Sequence, residues 1–237
     1  MISTPGIVLH TTPYGDTSVI VKVFTRLLGV QSYIIKGVRG PRAKVKQNLL
    51  QPFSCLDMVV YDNPKAELNY IKELSPRCAC TEATPVENAL RFFMTEVLYK
   101  SLQEAEPMPA LFDYLDSINS QFSILNSQLP IAFLLTLSHH LGIEPLDNYC
   151  PREPLFDLQE GRYVSSATET TLSQQLSAML HEYLLSFHSL SPFNSHLSPF
   201  TLTERRALID SLLAYYQLHL TAFRNFTSHE ILHTILK

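Results

Sequence analysis

The stretch "TSVIVKVFT" at residues 17–25 decides the fold of the first part of this chain. It is rich in β-branched residues, which favour strands. Its alternation places Val19, Val21 and Val23 on one face and Ile20, Lys22 and Phe24 on the other. This pattern predicts a strand with two distinct faces.

Four more short strands surround this one within about 75 residues. They are "GIVLHTT" (6–12), "QSYIIKG" (31–37), "FSCLDMVVYD" (53–62) and "AELNYIKEL" (66–74). Five strands in so short a segment suit a small closed barrel, because closure removes exposed strand edges. We therefore predict an OB-fold over residues 1–80.

The remainder of the chain changes to helical spacing, which gives an α+β protein with an all-helical domain over residues 81–237. Four helix starts carry the hydroxyl-x-x-Glu pattern of a capping box: Thr84/Glu87, Ser166/Glu169, Thr201/Glu204 and Thr227/Glu230. Two more helices are predicted, one from Pro109 and one from Pro130 to a stop at Gly142. A Pro-rich insertion at 146–165 ends in a small hairpin, "FDLQEGRYV".

The charge of the chain is strongly asymmetric. Residues 1–56 contain seven Lys or Arg and one Asp (formal charge +6), whereas the remainder contains 11 and 21 (−10). A basic first module in an acidic chain predicts a polyanion partner. The predicted phosphate contacts are Lys36, Arg39, Arg42, Lys44 and Lys46, extended by Lys22 and Arg26; the predicted base-stacking residue is Tyr33.

Other motifs have weaker interpretations. "HEILH" at 229–233 matches the zinc-protease helix pattern, but only four residues follow it to supply the third ligand that such a site needs. "GVRG" at 37–40 matches the GxxG loop of KH domains, yet a strand precedes it and Pro41 follows. We predict no catalytic residues, no metal and no cofactor. No apolar run approaches the roughly 20 residues of a membrane span, and the expected compartment is the cytoplasm.

The residues from Gly6 to Gly40, "GIVLHTTPYGDTSVIVKVFTRLLGVQSYIIKGVRG", together with "LLQPFSCLDMVVY" from Leu49, resemble the bacterial RecO family of recombination mediators. "ERRALIDSLLAYYQLHL" in the helical part resembles the family more loosely. The resemblance implies an OB-fold, a helical domain and a role in DNA repair and recombination after DNA damage, as in the SOS response. The implied partners are single-stranded DNA, the C-terminal tail of single-strand-binding protein, RecR and, indirectly, RecA, and the family also anneals complementary strands.

Two expectations follow from comparing this chain with that family. Many family members carry a four-cysteine zinc module, but only Cys150 stands in the matching stretch, so we expect the element at 146–165 to persist without zinc. Arg205 and Arg206 are the candidates for binding an acidic partner peptide, since the helix dipole disfavours cations in the first turn of a helix. The alternative is that Glu204 and Asp210 compensate their charge. The alternative function is an OB-fold protein that binds RNA or associates with the ribosome.

Overall fold

A computed structural model describes residues 1–40, 45, 47–61, 63, 66, 68–77, 83–102, 106–119, 128–188 and 200–235. The chain divides into two compact units, residues 1–124 and 125–237. This division falls later than the sequence-predicted boundary near residue 80, because two helices after the barrel belong to the first unit. Every helix among the described residues is too short or too polar to cross a lipid bilayer.

The first unit begins with a closed five-stranded barrel, as the sequence predicts. Its strands are β1 (Ile2–Tyr14), β2 (Ser18–Thr25), β3 (Gly29–Ile35), β4 (Cys55–Val60) and β5 (Asn69–Pro76). They follow the order β1-β2-β3-β5-β4 and return to β1, with β3 and β5 parallel and every other pair antiparallel. The first half of β1 pairs with β4 and its longer second part with β2, with a bulge between Val8 and His10. One long strand therefore closes the barrel.

The valine face of β2 fills the barrel. Val19, Val21 and Val23 are 2% exposed or less and lie in one apolar cluster with residues of the other strands, including Tyr33, Leu56, Met58 and Val60. The sequence-predicted parity of β2 is therefore confirmed. Its other face points outward and carries Lys22 and Phe24.

Two helices complete the first unit, α1 (Pro85–Ser101) and α2 (Pro109–Asn119). The predicted capping box of α1 is present: the Thr84 hydroxyl accepts the Glu87 amide, and the Glu87 carboxylate accepts the Thr84 amide at 2.7 Å. In α2, Phe112 packs on the outward ring of Phe24, with ring centroids 5.8 Å apart. This contact explains why Phe24 is fully buried although it points away from the barrel interior.

Two arginines of the barrel also bind α2. Arg26, after β2, donates to both carboxylate oxygens of Asp113 at 2.7 and 2.9 Å. Arg77, after β5, donates to Asp116 at 3.1 Å and to Asp57 of β4 at 2.8 Å. Asp113 and Asp116 are three residues apart and so lie on one side of the helix. The Arg26 guanidinium lowers the pKa of Asp113 by hydrogen bonding, which keeps this carboxylate charged.

The second unit is built on α3 (Leu129–His140), which ends before Gly142 as predicted. Nearly all of α3 is buried, and α4 (Gln174–His188) and α5 (Leu202–His219) pack against it. The Tyr216 hydroxyl of α5 donates to the Leu134 carbonyl at 2.6 Å. The unit also contains the predicted hairpin, β6 (Leu155–Asp157) with β7 (Arg162–Val164), and a last helix, α6 (Ser228–Ile235).

One predicted helix start is wrong. The capping box of Thr201 and Glu204 opens α5 as expected, but Ser166 and Glu169 lie in a loop and α4 begins only at Gln174. The hydroxyls of this loop instead bind Asp157, with Thr168 and Thr170 donating to its carboxylate. A tertiary acceptor thus competes successfully with a local capping pattern.

The ion pairs of Arg77 with Asp116 and Asp57 predict that α2 is stabilised locally and less strongly at high salt. Arg77→Ala removes the bonds to both carboxylates, and we expect a loss of about 1 kcal/mol at low salt, as for a good exposed ion-pair network. Hydrogen exchange of the amides in residues 109–119 should accelerate, and the difference from wild type should shrink at 1 M salt.

Lys72→Ala is the control, because in the described part of the chain Lys72 pairs with its exposed neighbour Glu73 at 3.3 Å and not with α2. It should leave the exchange of α2 unchanged. Equal exchange of α2 in Arg77→Ala and wild type would mean that the ion pairs of Arg77 do not hold this helix.

Candidate nucleic-acid interface

Lys36 follows β3 and lies against an exposed tyrosine of β5. Its Nζ is 5.5 Å from the ring centroid of Tyr70, a cation–π distance. Tyr61 follows β4, and its amide donates to the Tyr70 carbonyl at 3.0 Å. Both tyrosines are about half exposed. One exposed cation and two exposed aromatic rings therefore lie together on the barrel.

Arg39 continues this surface toward the β1–β2 turn. Gly37, with φ +73°, lets the chain turn after Lys36. The Arg39 amide then donates to the Thr17 carbonyl at 3.0 Å, and its guanidinium donates to the Gly15 carbonyl at 3.3 Å. The side chain is exposed and keeps further N–H donors. The segment after β3 thus joins the tyrosine pair to the β1–β2 turn.

A second cluster lies on the outer face of β1 and β2. His10 and Lys22 are cross-strand partners. Lys22 Nζ is 4.8 Å from the ring centroid of Tyr99 in α1, and the His10 ring centroid is 5.0 Å from the same ring. We call the Lys36–Arg39–Tyr61–Tyr70 group and the His10–Lys22–Tyr99 group, taken together, the basic face.

The seven predicted phosphate contacts therefore have different environments. Lys22, Lys36 and Arg39 belong to the basic face and form no ion pair within the described part of the chain. Arg26 is held by Asp113 in a two-point ion pair, so its charge is already balanced. Arg42, Lys44 and Lys46 lie outside the described residues, and their part in the site stays a prediction.

The structure corrects the prediction for Tyr33. Tyr33 is the cross-strand partner of Val21, not of Lys22, and directly opposed residues share a face of a sheet. Its ring is 1% exposed within the barrel core, so it cannot stack on a base. Tyr70 carries the exposed ring instead. Its neighbour Asn69 pairs with Tyr33 and is buried, which is the alternation that identifies Tyr70 as outward-facing.

Arg205 and Arg206, the two candidate peptide-binding residues in the second unit, also differ in their environments. The Arg206 guanidinium donates to the His233 carbonyl near the end of α6, so it holds this helix. Arg205 lies near Tyr183 of α4, whose pKa burial raises to about 12, while the Arg205 charge acts to lower it. The Tyr183 hydroxyl and Arg205 Nε are buried and have no hydrogen-bond partner among the described residues.

The "HEILH" residues do not assemble a metal site in the described residues. His229 and His233 lie on one side of α6, with ring centroids 5.8 Å apart, and His233 Nε2 is 3.4 Å from Asp210 of α5. No group of three or more His, Cys, Asp or Glu side chains in the described ranges could hold a metal ion. Cys78 and Cys80 are outside those ranges.

The insertion at 146–165 is held by hydrogen bonds that do not fit a zinc site. Cys150 is its one thiol. Asp157 is 1% exposed, and its carboxylate accepts two threonine hydroxyls and the amides of Gln159 and Glu160, both at 2.9 Å. Burial acts to raise the pKa of Asp157, but these four bonds together lower it. Asn148 adds bonds to the Tyr163 backbone and the Glu153 carboxylate.

Two family models cover most of the chain. Residues 1–77 match the model described as "Recombination protein O N terminal", and residues 83–226 match "Recombination protein O C terminal". The chain therefore belongs to the RecO family of DNA repair proteins, which the resemblance in the sequence had indicated. The boundary between the two models lies close to the predicted boundary at residue 80.

Full-length relatives agree with this assignment. A protein named "DNA repair protein RecO" from Bacteroides fragilis (strain ATCC 25285) is 32% identical over 242 residues, covering 97% of this chain and 96% of its own length. Proteins of the same name from Flavobacterium johnsoniae and Christiangramia forsetii are 29% and 27% identical, each covering 99% of this chain. They cover 98% and 99% of their own lengths, so the similarity spans both parts of the fold.

The Asp157 cluster predicts how the hairpin is stabilised. Asp157→Ala leaves hydroxyls and amides without their acceptor, at a cost of roughly 1–3 kcal/mol. Because the folded-state pKa lies below the ordinary value of 3.8, the wild-type contribution is present above about pH 4 and is lost as pH falls through the lowered pKa. The difference in unfolding temperature between wild type and variant should be largest near pH 7 and should shrink progressively as the pH is lowered below about 4.

Removal of metal ions with a chelator is a second test of how the hairpin is stabilised. Dialysis against EDTA should leave the unfolding temperature unchanged, and elemental analysis should find no stoichiometric zinc. About one zinc per chain after dialysis would contradict the hydrogen-bonded account of this hairpin.

Proposed function

We propose that the basic face holds single-stranded DNA. The observation that carries the proposal is how the cations of the first unit are partnered. Arg26 and Arg77 are neutralised by Asp113, Asp116 and Asp57. Lys22, Lys36 and Arg39 have no carboxylate within ion-pair distance in the described ranges. Unbalanced cations on one barrel are available for phosphates.

The aromatic rings beside these cations favour a single strand over a duplex. The ring of Tyr70 lies beside Lys36, Tyr61 is the backbone hydrogen-bond partner of Tyr70, and the ring of Tyr99 lies beside Lys22. Cations that follow a backbone, with aromatic rings on which unpaired bases stack, are the usual single-strand binding surface of OB-folds. RNA has the same phosphates and bases, so membership in a DNA repair family is what favours DNA over the RNA-binding alternative.

The further partners are proposed from the family. We propose that the chain acts without catalysis of its own, works with RecR to help load RecA on DNA, anneals complementary strands and binds the C-terminal tail of single-strand-binding protein. For that acidic tail, Arg205 is the candidate, because its Nε and the nearby Tyr183 hydroxyl are buried donors without acceptors in the described residues. Arg206 is proposed to support this region by holding α6.

The dependence of DNA affinity on salt concentration tests whether the basic face binds phosphates. Each phosphate neutralised on a single strand contributes about −0.7 to the log–log slope of affinity against salt. Replacing Lys36 and Arg39 together by Ala should make the slope shallower by about 1.4 and weaken binding about equally across sequences, because phosphate contacts carry no sequence information. Titrations of a labelled oligonucleotide at several salt concentrations measure both.

Arg162→Ala/Arg224→Ala is the charge-matched control, because it also removes two positive charges, here from exposed arginines of the second unit. It should leave the slope unchanged. If Lys36→Ala/Arg39→Ala keeps the full slope, the basic face does not bind the phosphate backbone.

The peptide proposal has a separate test. Arg205→Ala should weaken binding of a fluorescent acidic peptide with an apolar end by at least about fivefold, since it removes a charged donor worth roughly 1–3 kcal/mol. Arg224→Ala, an exposed arginine after α5, should not. Unchanged affinity in Arg205→Ala would place the peptide elsewhere on the protein.

A further inference from the structure

A groove of about 560 Å³ lies in the first unit between the two clusters of the basic face. Its wall includes Arg39 from one cluster and His10 from the other. Its apolar lining comes from β1 and from the segment before β4, and Phe92 of α1 stands at its side. Among the described residues that line it, none is acidic.

The floor of the groove is fixed by the barrel. The Thr11 hydroxyl donates to the Leu50 carbonyl at 3.0 Å, which ties β1 to the single helical turn at Gln47–Leu50. The Phe53 amide donates to the Val8 carbonyl at 2.9 Å and continues the same connection. The groove is therefore formed by hydrogen-bonded backbone and does not need a partner to create it.

Three features of the lining match an unpaired nucleobase. Phe92 is 50% exposed, which leaves its ring available for stacking. Gln47 and Gln51 are exposed and offer both amide donors and carbonyl acceptors, so they can bond to any base edge. Arg39 at the rim can bind the adjoining phosphate.

We propose that this groove holds a base of the bound single strand, stacked on Phe92. This inference rests on the proposed function, because a strand that contacts both clusters of the basic face must cross the groove between them. Phe92 is thus a base-binding residue outside the barrel, contributed by the first helix that follows it.

The geometry favours a base over a peptide. An extended peptide binds a sheet by adding to an exposed edge, but β1 is paired with β4 along its first half and with β2 along its second part. A helical peptide needs a groove long enough for anchors over two or more turns, and the basic rim next to a flat ring suits a nucleotide better. An acidic peptide in the groove is therefore an outcome that would count against the proposal.

Binding of labelled single-stranded DNA tests the stacking contact. Phe92→Ala should weaken binding about 5- to 150-fold, the equivalent of losing one stacked base, while the salt slope stays at the wild-type value. Phe92→Tyr should restore most of the affinity, because it keeps the ring. Val86→Ala is the matched control, an exposed apolar residue on the same helix that does not line the groove, and should bind as wild type does.

Photocrosslinking gives a readout independent of affinity. A strand containing 5-iodouracil should crosslink to a peptide that includes Phe92, as identified by mass spectrometry, and an excess of unlabelled strand should suppress the product.

The outcomes separate this inference from the function on which it rests. If Lys36→Ala/Arg39→Ala changes the salt slope but Phe92→Ala binds normally and no crosslink forms, the strand is held without the groove and the inference is overturned alone. If wild type binds no single strand, both are overturned. If Phe92→Ala loses only an acidic peptide, the groove is a protein-binding site.

Discussion

Closure of the barrel by β1 is the constraint on which the rest of the first unit depends. This single strand pairs with β4 through Ile2–Ile7 and with β2 through Gly6–Tyr14. Because the barrel has no free edge, every residue of its strands points either into a closed core or outward. The outward residues are then available only for helices or for ligands. The parity of each strand residue therefore determines which of these roles it can have.

The two helices of the first unit divide the outward residues between these roles. α2 covers Phe24 with Phe112 and binds Arg26 and Arg77 through its carboxylates. α1 approaches Lys22 with a tyrosine ring and no carboxylate, which orients the lysine and leaves its charge unbalanced. The acidic residues of the helices thus lie where charge is needed for packing, and the cations of the basic face remain without them.

The pattern of neighbouring residues was enough to predict much of this fold. The predictions failed where a residue far away in the sequence determines the environment of a side chain. The alternation in residues 17–25 grouped the residues of the two faces correctly, and Thr84 and Thr201 opened helices because their capping partners are three residues away. Tyr33 could not be placed from β3 alone, since its face depends on pairing with Val21 across the barrel. Arg26 could not be distinguished from the cations of the basic face by sequence, because its partner Asp113 is 87 residues away. Ser166 failed as a helix start because Asp157 engages the loop that follows it. The groove beside Phe92 is lined by residues from at least five separate segments, so no short stretch of sequence indicates it.

The hairpin around Asp157 has a consequence for how this protein depends on its surroundings. A small loop-rich element that is held by a metal forms only when the metal is supplied and its thiols are reduced. Here the carboxylate of Asp157 accepts hydrogen bonds from hydroxyls and backbone amides that follow it closely in the chain. All of these donors belong to the chain itself. The hydrogen bonds around Asp157 therefore form as the chain folds, and acid, which protonates their common acceptor, is the condition that weakens them.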